Sequence, residues 1–185
     1  MKNTIKGKVY VLGNDIDTDQ IIPAKFLSYD PTLPEEKKYF GKYALYGVPT
    51  GQKGLPEGNT PFIQNDEFSS EYKIIIAGKN FGCGSSREQA PVALKEAGVG
   101  LVIAESFARI FRRNAINIGI PVLEADLRGQ FKDGETISVD IAKGLIFKDN
   151  ITFYAAPLSR NVLATLEAGG LIERVRRELG VEKRW

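Results

Sequence analysis

The sequence predicts an α/β fold: a mostly parallel core sheet flanked by helices, followed by a C-terminal β-meander and two further helices. Three observations carry that expectation. Short, wholly apolar runs such as Ile74-Ile75-Ile76-Ala77 and Leu101-Val102-Ile103-Ala104 alternate with helix-length segments, the pattern of strands buried on both faces. After Glu135 the period changes to two, as in half-exposed antiparallel strands. The 185 residues, 43% hydrophobic and 26% charged, suit one soluble domain, residues 1–185, with a long loop insertion at about 24–66.

Taken in order, Lys6 to Leu12 reads as a first strand with Val9 and Val11 on one face. Its entry from Met1 shows no signal-peptide core, no apolar run is long enough for a bilayer, and the expected location is cytoplasmic. Asp15, Asp17 and Asp19 follow at spacing two, either an Asx-rich turn with a helix N-cap or part of a site. They lack the glycine and glutamate that a calcium loop of the EF-hand type needs. Prolines and glycines then forbid long helices until about residue 66, apart from a short helix around Glu35 to Tyr43. The aromatics of this insertion, including Phe26, Tyr29, Tyr39 and Tyr43, argue for a packed recognition loop rather than disorder.

Tyr72 to Gly78 is the next strand, then a helix from Ser86 to Ala97 with Gly98 as its stop. Pro91 sits inside that helix, so either its first turn is separate or it kinks. Gly100 to Ala104 is a strand, Glu105 to Gly119 a helix with Ile110 and Phe111 among its apolar positions, and Ile120 to Leu123 a strand. Strand–helix–strand repetition predicts right-handed crossovers and a parallel sheet. Glu135–Asp140, Leu145–Phe147 and Ile151–Tyr154 form the meander. Ser159 caps a helix to Ala168, and Leu171 to Leu179 is a last amphipathic helix whose charges read as a solvated face.

The chemistry is bounded by absences. With one cysteine there is no chelating set for zinc or an iron–sulfur cluster, so no metal is expected on this chain. With no histidine, the commonest general base is missing. The net charge of +2, with no basic stripe interleaved with aromatics, gives no reason to expect nucleic acid. What remains is Asn80-Phe81-Gly82-Cys83-Gly84-Ser85-Ser86-Arg87-Glu88, a glycine-rich turn between a buried strand and a helix. Such a turn can cradle a phosphate or sulfate, or it can be a catalytic turn that binds a carboxylate. It fits neither the Walker, the dinucleotide nor the nucleophile-elbow spacing. Cys83 reads as a structural thiol without a histidine to activate it. Arg87 can grip a carboxylate with two hydrogen bonds, and a serine whose alkoxide is stabilised could take a proton from the neighbouring carbon.

Together with Ser106-Phe107-Ala108-Arg109-Ile110-Phe111, Asn114 and Asp17-Thr18-Asp19-Gln20-Ile21-Ile22-Pro23, these residues resemble the swivelling domain of the aconitase superfamily. Spacing and length are similar to the family of small subunits of isopropylmalate dehydratases, most specifically over residues 5 to 125. The resemblance implies an aconitase-type swivelling β/β/α domain that works with a large subunit, as a heterodimer or heterotetramer, in leucine biosynthesis. It implies a [4Fe-4S] cluster on that large subunit and none on this chain. It also implies a hydroxy-acid substrate, Ser85 as the base, and Ser86 and Arg87 as substrate-binding groups, with Thr18 and Asp19 lining the cleft. Gln89 stands where the family commonly has histidine, a change expected to alter packing rather than chemistry. The loop after Pro23 is where the family tunes substrate choice, so homocitrate, dimethylmalate or citramalate-type substrates stay open, as does a non-catalytic RNA-binding relative.

Overall fold

A computed structural model describes residues 4–181 of the chain. Its centre is a seven-stranded sheet in the order β4-β3-β2-β1-β5-β6-β7. β1 (Thr4–Val11), β2 (Tyr72–Ala77), β3 (Leu101–Ala104) and β4 (Val122–Glu124) are parallel neighbours, with Val9 opposite Ile74 and Ile75 opposite Val102. β5 (Thr136–Asp140), β6 (Leu145–Lys148) and β7 (Ile151–Tyr154) continue from the other edge of β1 as an antiparallel meander. The meander therefore extends the core sheet. The expected strand entry at Met1–Asn3 lies outside the described residues.

The runs of β2 and β3 are wholly apolar because both their faces are covered. On one face, Tyr10, Ile75 and Val102 meet four helices, α1 (Thr18–Ile21), α2 (Pro34–Lys42), α3 (Gln89–Glu96) and α4 (Arg109–Asn117), through Ile21, Phe40, Leu94 and Phe111. On the other, Ile74, Ile76 and Leu101 pack with Ile137, Val139 and Ile146 of the meander and with Leu166 of α5 (Arg160–Ala168). The sheet thus curls so that its antiparallel half covers its parallel half.

Two helices start later than the sequence predicts. α3 begins at Gln89 and not at Ser86, which makes Pro91 its third residue, where a missing N–H costs no intrahelical bond. α4 begins at Arg109 and not at Glu105, because Ser106 to Ala108 are bonded to Phe81: the Phe81 amide donates to the Ser106 carbonyl (3.0 Å) and the Ala108 amide to the Phe81 carbonyl (3.0 Å). The helix buries Phe111, Asn114 and Ala115, so Ile110 faces outward, 42% exposed, where the apolar pattern places it with the core residues.

The insertion holds α2 and two single 3₁₀ turns, Ala24–Phe26 and Thr50–Gln52. Its aromatics pack on one another, with Phe26 on Tyr43 (centroids 3.7 Å apart) and Tyr29 on Tyr39 (4.6 Å). Lys25, Lys38 and Lys42 lie over ring faces of this cluster, a lysine–aromatic juxtaposition that the linear sequence does not display. At the C-terminal end, α6 (Leu171–Leu179) has the predicted limits, but Arg174 is not a simply solvated charge. It donates to the Asn161 carbonyl (2.9 Å) and the Thr165 hydroxyl (3.0 Å), tying α6 to α5. Among the described residues no helix is long and apolar enough to cross a membrane.

α2 crosses α3 at Gly41, where a Cβ would stand 2.5 Å from the Phe68 carbonyl oxygen and 2.8 Å from the Glu96 backbone. Gly41→Ala gains about 1 kcal/mol of helix propensity but forces backbone apart at a cost of about 1–3 kcal/mol. The expected outcome is a lower urea midpoint; a raised midpoint would show that the two helices have room to separate.

Candidate functional site

The loops leaving the carboxyl ends of β1, β2 and β3 are joined by backbone hydrogen bonds beyond the sheet proper. The Gly82 amide donates to the Ile16 carbonyl (2.7 Å) and the Thr18 amide to the Cys83 carbonyl (2.9 Å), a short parallel bridge between Asp17 and Cys83. Asp17 is at the same time the N-cap of α1: its carboxylate accepts from the Gln20 amide (2.7 Å), and the Gln20 side chain accepts from the Asp17 amide (3.0 Å). The aspartate run is thus a capped turn, and the turn fixes where Thr18 and Asp19 stand.

The glycine-rich turn is held from three sides. Gly82 has φ of +79°, and a Cβ there would overlap the Phe111 ring, so only glycine fits against α4. Asn80 is also left-handed, with φ of 59°. Its backbone N–H donates to the Ser106 hydroxyl (2.9 Å), and its Nδ2 donates to the Asp15 carboxylate (2.9 Å). The sequence reading has Asn80 and Ser106 within its motifs and Asp15 within the aspartate run, but gives none of them this supporting role. An asparagine just before a glycine-rich turn is the signal that could have found Asn80.

Upon that frame four of the five predicted residues fall together in two pairs. Thr18 is 2% exposed, and its hydroxyl lies 3.0 Å from Ser85 Oγ and 3.2 Å from the Ser85 carbonyl oxygen. Either hydroxyl can donate in the first contact. The Arg87 guanidinium pairs with the Asp19 carboxylate through Nη1, which also donates to the Ile22 carbonyl (3.3 Å). Its Nε and Nη2, the edge that can bind a carboxylate with two parallel bonds, have no partner among the described residues. Ser86, the fifth, is exposed and makes no side-chain hydrogen bond among the described residues. Ser85 and Ser86 open directly to solvent, and neither lies on the first turn of α3, which starts only at Gln89. The donor within reach of Ser85 among the described residues is therefore the Thr18 hydroxyl, not the α3 amides.

Cys83 is half-buried and takes no part in these pairs. Burial, and then the carboxylates of Asp17 and Asp15, push its thiol above the usual range, so it stays protonated and poorly nucleophilic. Among the described residues no group of three His, Cys, Asp or Glu side chains is arranged to hold a metal ion.

Comparison with known proteins gives the family. Residues 11–126 match the family model of the aconitase C-terminal domain. The chain is 41% identical over 182 residues to the 3-isopropylmalate dehydratase small subunit 1 of Methanopyrus kandleri, covering 96% of each chain. It is 42% identical over 179 residues to the methanogen homoaconitase small subunit of Methanothermobacter thermautotrophicus, covering 93% of this chain and 91% of that one. A crystal structure of 3-isopropylmalate dehydratase from Methanocaldococcus jannaschii superposes with a TM-score of 0.77 at 33% identity, covering 96% of both chains. By the family model over residues 11–126 and by relatives matched over nearly its whole length, the chain belongs to the aconitase C-terminal domain family, among the small subunits of 3-isopropylmalate dehydratase-type lyases.

Proposed function

We propose that the chain is the cytoplasmic small subunit of a hydro-lyase that interconverts 2-isopropylmalate and 3-isopropylmalate through isopropylmaleate. Ser85 is the base and Arg87 the carboxylate clamp. The observation that supports these roles best is the pairing of Thr18 with Ser85 Oγ on the same turn that carries a half-free guanidinium. A serine hydroxyl is a poor base, and it becomes useful only where its alkoxide is stabilised and water is excluded. A hydrogen bond donated by Thr18 supplies part of that stabilisation. Arg87 holds the carboxylate next to the reacting carbon through Nε and Nη2 and keeps the C–H aimed at Ser85.

In the forward direction Ser85 takes the proton from C3, the C–H electron pair becomes the C2=C3 double bond, and the hydroxyl leaves C2. Water then returns with the positions of hydrogen and hydroxyl exchanged, so one water is lost and one regained. A single cysteine and no histidine do not supply the ligand set that a cluster needs. We assign the [4Fe-4S] group, and the handling of the departing hydroxyl, to the large subunit. That partner would also cover the exposed serines. The 42% identity to a homoaconitase small subunit favours one second reading, a homocitrate-type tricarboxylate as substrate. Turnover of the reconstituted pair on each acid decides between them.

Ser85→Ala, assayed with the large subunit, is expected to lower kcat by about 10²–10⁴ while the circular dichroism stays native; turnover within a few-fold of wild type would remove Ser85 from the role of base. Arg87→Lys keeps the charge and loses the two-pronged grip, so KM should rise by about tenfold or more. Unaltered KM and kcat would show that the carboxylate is held elsewhere.

A further inference from the structure

We propose that the outward face of α4, formed by Arg109, Ile110 and Arg113, docks the large subunit, on an acidic patch with an apolar seat for Ile110. The existence of that partner rests on the function proposed above; the surface rests on observations of its own. Arg109 and Arg113 are four residues apart, with Ile110 beside them, so all three share one side of the helix. Phe111 and Ala115 on the other side are buried in the core. Ile110 is 42% exposed, and the flanking arginines are exposed too. Arg109 and Arg113 make no side-chain hydrogen bond or ion pair among the described residues, whereas their neighbour Arg112 reaches Glu124 at 3.6 Å.

Local stability does not account for this arrangement. Like charges four apart repel, and cations beginning at the first helical residue oppose the helix dipole. The N-cap is Ala108, with no side-chain bond to relieve the end. An acidic surface laid across the arginines reverses each of these penalties.

Position identifies which surface that is. Ala108, the residue before Arg109, is hydrogen-bonded to Phe81, within the turn that leads to Ser85. Any body that closes over the open serines therefore has α4 as a neighbouring helix. The apolar stripe on α6, Ile172, Val175 and Leu179, has no such link to the turn, and the adjacent Arg174 and Arg176 are already paired with Glu178 and Glu173.

The test is sedimentation velocity or calorimetry of the full chain titrated with the purified large subunit at low and moderate salt. Arg109→Glu with Arg113→Glu is expected to weaken association by about tenfold or more and to flatten its salt dependence. Ile110→Asp should weaken it as well. Arg177→Glu on α6 should bind as wild type does. Wild-type affinity in the folded double variant overturns the proposal, and so does unchanged affinity with a raised KM, which would assign the arginines to substrate. If the unsubstituted chain itself fails to associate with the large subunit, the proposed function fails first and this inference falls with it.

Discussion

Two backbone hydrogen bonds, Gly82 to Ile16 and Thr18 to Cys83, hold the site together. The loops they join leave different strands, and the whole insertion and β2 lie between them along the chain. Without these bonds the hydroxyl of Thr18 and that of Ser85 would belong to independent segments. Each loop is also braced on its own side, by the Asp17 capping box in one case and by the Gly82 contact with Phe111 in the other. The role proposed for the Thr18–Ser85 pair needs positions held to well under an ångström, and loops alone seldom provide that. Here the sheet provides it, because the bridge continues the parallel pairing of β1 and β2 past their ends.

The same bridge separates what could be read from the sequence from what could not. Runs such as Ile74-Ile75-Ile76 announce strands buried on both faces, because any other fate leaves too much apolar surface in water. Leu171–Leu179 has the periodicity and the flanking glycines of a helix, and both of its ends match the expectation. The late starts of α3 and α4 have different causes. For α3 the signal was local: Pro91 allows either a separate first turn or a kink, and the helix takes the first course by starting at Gln89. For α4 it was not local, since Ser106 to Ala108 are drawn out of the helix by Phe81, which precedes α3 and β3 along the chain.

The outward turn of Ile110 has a separate cause. The phase of a helix is set by which residues it buries and not by where it starts, and here Phe111, Asn114 and Ala115 are the buried positions. The candidate residues were legible as a motif, yet which of them face one another was not. Periodicity cannot tell that Thr18 faces Ser85, or that Asp19 meets Arg87, because both pairs cross the bridge.

The Asp19–Arg87 pair bears directly on how such a site stays ready for a ligand. A guanidinium with a side chain only 19% exposed and no anion near it would tend to wander or to collapse onto any carbonyl within reach. Asp19, 58% exposed in its side chain, holds one end of the group at little desolvation cost and leaves the other edge free. Orientation is thereby set before the ligand arrives, and the ordering cost of a long, flexible side chain does not fall on binding. An aspartate bound through both nitrogens of the outer edge would instead compete with the ligand. Contact through Nη1 alone, reinforced by the Ile22 carbonyl, positions the arginine without occupying the edge that a carboxylate needs.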